Sequence, residues 1–262
     1  MLMPEATNQA YLLNQQYCSA DNLKARIELH ERYSTQNYPW QRWVFDHFKM
    51  PPQASVLELG CGTGKLWSAN LDRIPTDWKV TLSDFSEGML QATKNQLKEL
   101  NCFEFSNFDA QAIPYSDASF DAIIANHMLY HLPDRKKGLT EIRRVLKPGG
   151  HFYAATNGLD HLQELGDLMV KFFDHNPHPT HARAFSLANG RSQLEAFFTS
   201  VELFLFEGNL HVTEAIPVVN YIVSYQHLTE SQKNQIIEYV ETEIARQGYF
   251  FIRKNTGLFI AC

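Results

Sequence analysis

Ser55-Val-Leu-Glu-Leu-Gly-Cys-Gly-Thr-Gly64 is the stretch whose reading decides the fold of this chain. Ser55 to Leu59 has the short apolar run of a buried strand, and Gly60, Gly62 and Gly64 follow at alternate positions. Such glycines let the backbone turn sharply and approach a ligand that side chains would hold off. A helix-like stretch continues to about Ile74. The first N–H groups of a helix placed there lack intrahelical partners and point at whatever occupies the turn. Three ligand classes use strand–glycine–helix turns, and spacing separates them. A phosphate-binding loop requires a glycine, four residues and then Gly-Lys-Ser/Thr. Here Leu59 stands at the upstream glycine position and Leu66 at the hydroxyl position. The dinucleotide fingerprint requires a third glycine where Lys65 stands. What remains is an acidic residue, Glu58, in the strand end just ahead of the glycines.

Downstream the same grammar repeats. Lys79–Asp84 reads as a second strand, and Ser86–Leu100 as a helix with Ser86 as N-cap and Glu87 in its first turn. Cys102–Phe108 and Phe120–Ala125 read as strands, Asp134–Leu146 as a helix closed by Lys147-Pro-Gly-Gly150, and His151–Thr156 as a fifth strand. Alternating strands and helices predict an α/β fold: a Rossmann-like, doubly wound, mostly parallel sheet with helices on both faces and a helical cap. Ligands of such sheets bind beyond the carboxyl ends of the strands, where strand order reverses.

Three regions follow. Residues 1–50 read as an N-terminal helical lid, with Leu23, Ile27 and His30 at helical spacing and Trp40, Trp43, Val44 and His47 repeating it. Pro39 stands at the start of its second helix and Pro51-Pro52 stops it. Its Gln, Asn and Tyr content suggests surface rather than core. Residues 51–157 form the binding core. Residues 158–262 complete the sheet and add cap insertions at about 158–192 and 211–247. In this part His161–Phe173 reads as an amphipathic helix and Asp174–Gly190 as a polar loop. Val201–Phe206 reads as a strand, and Thr213–Tyr225 and Thr229–Gln247 as helices, the latter ended by Gly248. Tyr249–Ile252 and Leu258–Ala261 are expected to complete the sheet.

The 262 residues include 23 Lys+Arg against 29 Asp+Glu, a net charge of −6, with 44% hydrophobic and 20% charged residues. That is the balance of a folded globular chain, and its acidity argues against a nucleic-acid partner. The first ten residues lack the basic head and apolar run of a secretory signal, and no apolar stretch approaches the roughly 20 residues that cross a bilayer. Cys18, Cys61, Cys102 and Cys262 form no CxxC pair. Reduced thiols and a cytoplasmic location are the expectation, with no membrane partner.

Glu58 to Gly64 resembles the first motif of class I S-adenosylmethionine-dependent methyltransferases, and the resemblance continues in order. Leu82-Ser-Asp-Phe-Ser-Glu-Gly-Met-Leu90 is similar to the family's second-strand end. Phe108-Asp-Ala-Gln-Ala-Ile-Pro-Tyr115, followed by Asp117–Ile124, is similar to its adenine edge and fourth strand. Leu146-Lys-Pro-Gly-Gly150 looks like the turn before its fifth strand. Together these cover about residues 50–157, and the motif set looks closest to the small-molecule methyltransferases that include the quinone-biosynthesis enzymes.

The resemblance implies S-adenosyl-L-methionine as cofactor. Asp84 would accept the ribose hydroxyls in charge-assisted bonds, unless it only caps the next helix. Phe85 and Met89 would sandwich the adenine, with a core role open for Met89. Asp109 would accept from the exocyclic amine while the Ala110 and Gln111 N–H groups face a ring nitrogen; Asp109 also suits a turn before Pro114. Glu58 and the Asn126 carbonyl would receive the methionine ammonium, although Glu58 could instead order the loop. Gly60, Cys61 and Gly62 form the backbone cradle, and Tyr33 and His127 complete the implied set.

Methyl transfer is an in-line displacement at carbon, to which a protein contributes positioning and desolvation. A base helps only where the acceptor is a hydroxyl or a protonated amine. The candidates are His127, Tyr130 and His131, just after the fourth strand. No Asn-Pro-Pro-Tyr or Asp-Pro-Pro-Tyr follows that strand; in the family that pattern marks planar nitrogens of nucleic acid or protein. The expectation is transfer to an N, O or C atom of a small-molecule acceptor, aromatic or heterocyclic ones included. The alternatives are an RNA methyltransferase and a non-catalytic S-adenosylmethionine-binding protein. His175, His178 and His181 have a spacing that could ligate a metal, but Pro177 and Pro179 break their alignment and no Cys partner is near. They read as a solvated loop with no metal. Tyr33–Phe48 and Leu203–Phe206 are aromatic-rich and suit either core or an acceptor pocket.

Overall fold

In the computed structural model residues 20–97, 102–173, 181–224 and 226–262 are described. Strands β1 (Ser55–Leu59), β2 (Lys79–Asp84), β3 (Phe103–Asn107), β4 (Phe120–Asn126) and β5 (Leu146–Asn157) pair in parallel. Strand β6 (Val201–Phe206) follows, then β7 (Asn209–Val212), β8 (Phe250–Arg253) and β9 (Thr256–Ala261). The main sheet has the order β3-β2-β1-β4-β5-β9-β6, with β9 antiparallel to both of its neighbours. Strand order reverses at β1, which lies between β2 and β4, so the glycine turn leaves the sheet at its switch point.

The central strands are apolar on both faces because helices cover both. Leu57, Ile123, Phe152 and Phe259 pack on one face with Leu139 and Ile142. On the other, Val56, Ile124 and Tyr153 pack with Val44, Phe45, Trp67 and Leu90. The helices, in chain order, are α1 (Ala20–Tyr33), α2 (Trp40–Asp46), α3 (Lys65–Ser68), α4 (Glu87–Leu97), α5 (Arg135–Val145) and α6 (Gln163–Phe173). They continue with α7 (His181–Ala184), α8 (Gly190–Leu194), α9 (Ala215–Val223) and α10 (Glu230–Gln247). Their ends follow local chemistry. Asp134 accepts from the Lys137 N–H at 3.0 Å, ahead of α5. Thr229 and Gln232 form a reciprocal capping box on α10, and Gly248 ends that helix at φ 91°.

A third apolar cluster belongs to the cap. Leu29 of α1, Leu165 of α6, Val219 of α9, Ile236 of α10, Leu210 of β7 and Ile252 of β8 are all buried in it. This corrects two expectations. Tyr249–Ile252 does not extend the main sheet; Phe250–Arg253 pairs with β7 in a separate two-stranded sheet, because Ile252 and Leu210 turn into the cap's own core. The N-terminal helices are not surface elements alone, since Leu29, Val44 and Phe45 are buried.

Other boundaries differ for local reasons. The helix after the glycines stops at Ser68 rather than Ile74, where the buried Asn70 amide donates to Leu66 O at 2.7 Å and to Gln41 O at 3.1 Å. Lys147–Gly150 lies within β5 as an irregular start: the register with β4 jumps from Phe120–Leu146 to Ala122–His151. The 174–190 loop gives way to α7 at His181 and to α8 at Gly190. Cys18, His175 and His178 lie outside the described residues, as does the His181 side chain. Among the described residues Cys61, Cys102 and Cys262 are free thiols, and no helix is long and apolar enough to cross a membrane.

Candidate functional site

Beyond the carboxyl ends of β1, β2 and β4 lies a cavity of about 780 Å³ that reaches under the cap. Its floor is the glycine turn. Gly60 and Gly62 have φ of 69° and 57°, values that side chains strain to adopt. A Cβ on Gly60 would lie 3.0 Å from Met128 Cβ, whereas one on Gly62 would meet nothing within 4 Å. The Gly62 Cα therefore faces open space in the cavity lining. The Cys61 N–H donates to Ser83 O at 2.9 Å and the Thr93 hydroxyl to Gly62 O at 2.6 Å, which hold the turn to β2 and α4.

Two carboxylates flank this turn. Asp84 accepts the Gly62 N–H at 2.9 Å on one oxygen and the Ser86 N–H at 2.8 Å on the other. Burial pushes it up to about 6, against the pull of those two bonds. Capping and ligand binding are thus compatible, since each oxygen has two lone pairs. Glu58 is 2% exposed; it accepts the Trp67 indole N–H at 2.7 Å and the Asn126 amide at 3.4 Å. Burial raises it to about 7 despite both donors. Beside it the Asn126 side-chain amide oxygen, Oδ1, is buried without a partner. A buried carboxylate next to an orphaned acceptor is a receptor for a cationic donor, which the ammonium of S-adenosylmethionine would supply. The open Gly62 cradle and Asp84 fit the rest of that molecule.

Asp109 also lines the cavity. Gln111 does not line it. Its backbone N–H reaches Asp109 at 2.9 Å, its side-chain amide at 3.0 and 2.9 Å, and its carbonyl accepts the Asp134 N–H at 2.9 Å. Gln111 is thus a brace for Asp109. Phe85 is 41% exposed at the rim and Met89 is buried beneath; both line the cavity together with Cys61, Ala110 and Asn126. Tyr33 does not: it packs in the cap core. The helix period explains this, because Ile27, His30 and Glu31 share the α1 face that lines the cavity while Tyr33 falls on another.

His127 has φ 52°, and its N–H donates to Ala155 O at 3.0 Å. Burial lowers its ring to about 4, with His131 adding to the effect. It is a neutral imidazole at physiological pH. Tyr130 and His131 occupy a single 3₁₀ turn, Leu129–His131, with rings 4.5 Å apart, and both line the cavity.

Several participants were not legible beforehand. Trp67 orders Glu58, and the Asn107 amide holds the Asp84 and Phe85 carbonyls at 2.8 and 3.1 Å. Lys65 at the start of α3 pairs with Glu31 at 2.8 Å and ties the glycine turn to α1. From elements outside the glycine turn and its strands come His30, Trp40, Phe206, Tyr221 and Lys254. The α1 spacing did single out His30, and Trp40 and Phe206 lie in the two aromatic-rich stretches read as core or acceptor pocket; Tyr221 and Lys254 carried no signal of their own.

A doubly wound sheet with an antiparallel strand near one edge, and carboxylates around a glycine turn at its switch point, defines the class I methyltransferase fold. Residues 57–154 match the family model described as a methyltransferase domain. The chain is 35% identical over 114 residues to the ubiquinone/menaquinone biosynthesis C-methyltransferase UbiE of Hahella chejuensis, covering 42% of this chain and 46% of that one. It is 42% identical over 99 residues to a demethylmenaquinone methyltransferase of Lactococcus lactis, covering 37% and 39%. The chain thus spans less than half the length of these curated relatives. Among solved structures, Haemonchus contortus phosphoethanolamine N-methyltransferase 2 in complex with S-adenosyl-L-methionine superposes with TM-score 0.62 at 17% identity, over 97% of this chain and 59% of that chain. The YcgJ protein of Bacillus subtilis superposes with TM-score 0.58 at 17% identity, over 84% and 96%. At such identities the structures establish a shared fold.

Proposed function

We propose that the protein binds S-adenosyl-L-methionine and transfers its methyl group to a small-molecule acceptor. The observation that carries this reading is the pairing of two desolvated carboxylates, Glu58 and Asp84, with the orphaned Asn126 Oδ1 around an open glycine turn. The names of the quinone-biosynthesis relatives support a small acceptor, and the net charge of −6 favours one over RNA.

When bound, the cofactor supplies an electrophilic methyl group on a cationic sulfonium. Asp84 would hold the ribose hydroxyls, and Glu58 with Asn126 would hold the ammonium. The cap shuts water away from the reacting atoms, which strengthens these contacts and orients the acceptor. His127, neutral and fixed by Ala155, orients an acceptor by hydrogen bonding more readily than it holds a proton.

Titration calorimetry with S-adenosylmethionine and S-adenosylhomocysteine tests the reading. Saturable binding is expected, and a folded sample that binds neither sinks it. Asp84→Ala loses charge-assisted bonds and is expected to weaken binding by about tenfold or more; unchanged affinity removes Asp84 from the site. Release of labelled methyl groups to metabolite extracts then separates an enzyme from a binding protein.

A further inference from the structure

The two halves of the cavity differ in charge. Glu58, Asp84 and Asp109 belong to the strand ends, while the lining cations are Arg26, Lys65 and Lys254. Lys65 is neutralised by Glu31 at 2.8 Å. Arg26 is held by Ser224, Nε to Oγ at 2.8 Å and guanidinium to the carbonyl at 3.0 Å.

Lys254, in the turn between β8 and β9, is placed differently. Its ammonium donates to Ser34 Oγ at 3.1 Å and lies 4.9 Å from the Phe206 ring centroid. No carboxylate among the described residues pairs with it, and burial alone lowers it to about 8. The neighbouring imidazoles offer no negative charge. His30 is lowered to about 3 by burial, then by Lys254 and His127, and His127 itself is neutral. Desolvating an ammonium without a counter-ion is costly, and one hydroxyl plus one aromatic face do not neutralise it.

Ser34 is fixed in turn. It bridges to Leu210 of β7, and its hydroxyl accepts both Lys254 and the Gln36 N–H, the latter at 3.2 Å. That leaves the Ser34 O–H free to donate. Around this pair stand Trp40 and Phe206, edge to face with centroids 5.3 Å apart. At the end of β5 the Asn157 side-chain amide oxygen is buried without a partner and its residue lines the same cavity.

We infer that Lys254 and Ser34 form an anion subsite in the acceptor half of the cavity, and that the acceptor is a small planar molecule carrying one carboxylate. This rests on the methyltransferase reading above and names its substrate class. One ammonium and one hydroxyl donate to the two oxygens of a carboxylate and match its single charge, whereas a phosphate dianion would remain half-compensated. Trp40 and Phe206 supply the apolar wall for the planar part. Asn157 accepts from an N–H or O–H of the same ligand.

Benzoate and its uncharged isostere benzamide are the probes, titrated calorimetrically with and without saturating S-adenosylhomocysteine. Benzoate is expected to bind wild type about tenfold more tightly than benzamide, the scale of a hydrogen-bonded charge in a partly dry site. Lys254→Gln is expected to erase that preference and Lys254→Arg to retain most of it, both with unchanged affinity for S-adenosylhomocysteine. A purely structural lysine would lower stability without altering the benzoate-to-benzamide ratio, so an unchanged ratio in Lys254→Gln overturns the inference. Equal binding of the two probes to wild type, or no millimolar binding of either, overturns it as well. If Lys254→Gln does not fold, Ser34→Ala gives the same reading through a reduced ratio. Failure to bind S-adenosylhomocysteine strikes the cofactor reading separately.

Discussion

Glu58→Gln replaces a carboxylate buried to 2% exposure with its neutral isostere, and the structure gives the consequence a sign and a size. The ordinary value of 4.5 is raised to about 7 by burial. Between those two values the folded state therefore holds more protons than the unfolded chain. Wild-type stability is highest, as far as this group is concerned, below 4.5, and falls as the pH rises through 7. At 1.36 kcal/mol per unit the ionised carboxylate costs about 3 kcal/mol above neutrality. Glutamine has no such cost, and it keeps the acceptor that Trp67 needs. Rotating the Asn126 amide then lets the glutamine N–H donate to the Asn126 oxygen that wild type leaves without a partner. Allowing about 1 kcal/mol for imperfect bonds, Glu58→Gln is expected to be more stable than wild type by about 2 kcal/mol at about pH 8. The difference should vanish by about pH 4. Asp84, raised from 3.8 to about 6, leaves a fall of the same sign between those values in both proteins. Urea denaturation at several pH values, followed by tryptophan fluorescence, measures this, and calorimetry should show weakened cofactor binding in the same variant. If Glu58→Gln is no more stable than wild type at about pH 8, the account of Glu58 as a strained receptor for a cation is wrong.

Gly62→Ala places a methyl group in the open space of the turn at φ 57°. A stability loss of about 1–2 kcal/mol is expected from the backbone, with a much larger loss of S-adenosylhomocysteine affinity, so proportionate losses in melting and calorimetry would argue against a cradle. The His127 ring, held near 4, should show no titration of its proton resonances between about pH 6 and 8; a midpoint near 6.5 that disappears in His127→Asn would contradict this. Lys65→Gln breaks a pair that is 38% and 51% exposed, and should cost less than about 1 kcal/mol. If the pair closes the lid, wild-type cofactor release should quicken with salt and approach that of the variant; equal release rates at low salt refute such a role.

Local patterns carried the sheet and the cofactor half of the site. Gly60 to Gly64, Asp84 and Asp109 are legible because each lies at or just beyond the carboxyl end of its strand. Chemistry that depends on pairing across the chain was not. Nothing near Glu58 marks Trp67 as its donor, and nothing near Asp109 marks Gln111 as a brace rather than a wall. Tyr33 and His30 share α1, but only the packing of α1 on α9 fixes which of its faces meets the cavity. Phe250 to Arg253 has the composition of a central strand, and it left the main sheet because the cap has a core of its own to fill. The acceptor half draws on residues 26–40, 206, 221 and 254, a set that only tertiary folding assembles.

The antiparallel strand β9 fills the gap between β5 and β6. During synthesis the parallel strands β1 to β5 emerge together with the residues that flank the glycine turn, while β6 must wait for a strand made some fifty residues later. The turn leading into β9 carries Lys254. A nascent chain therefore acquires the glycine-turn side of the cavity first and Lys254 last, with the strand insertion that also removes the open edge of β5. Long-range strand insertion of this kind is slow and leaves an edge exposed while it is pending. The event that protects the sheet from aggregation is thus the same event that completes the cavity lining.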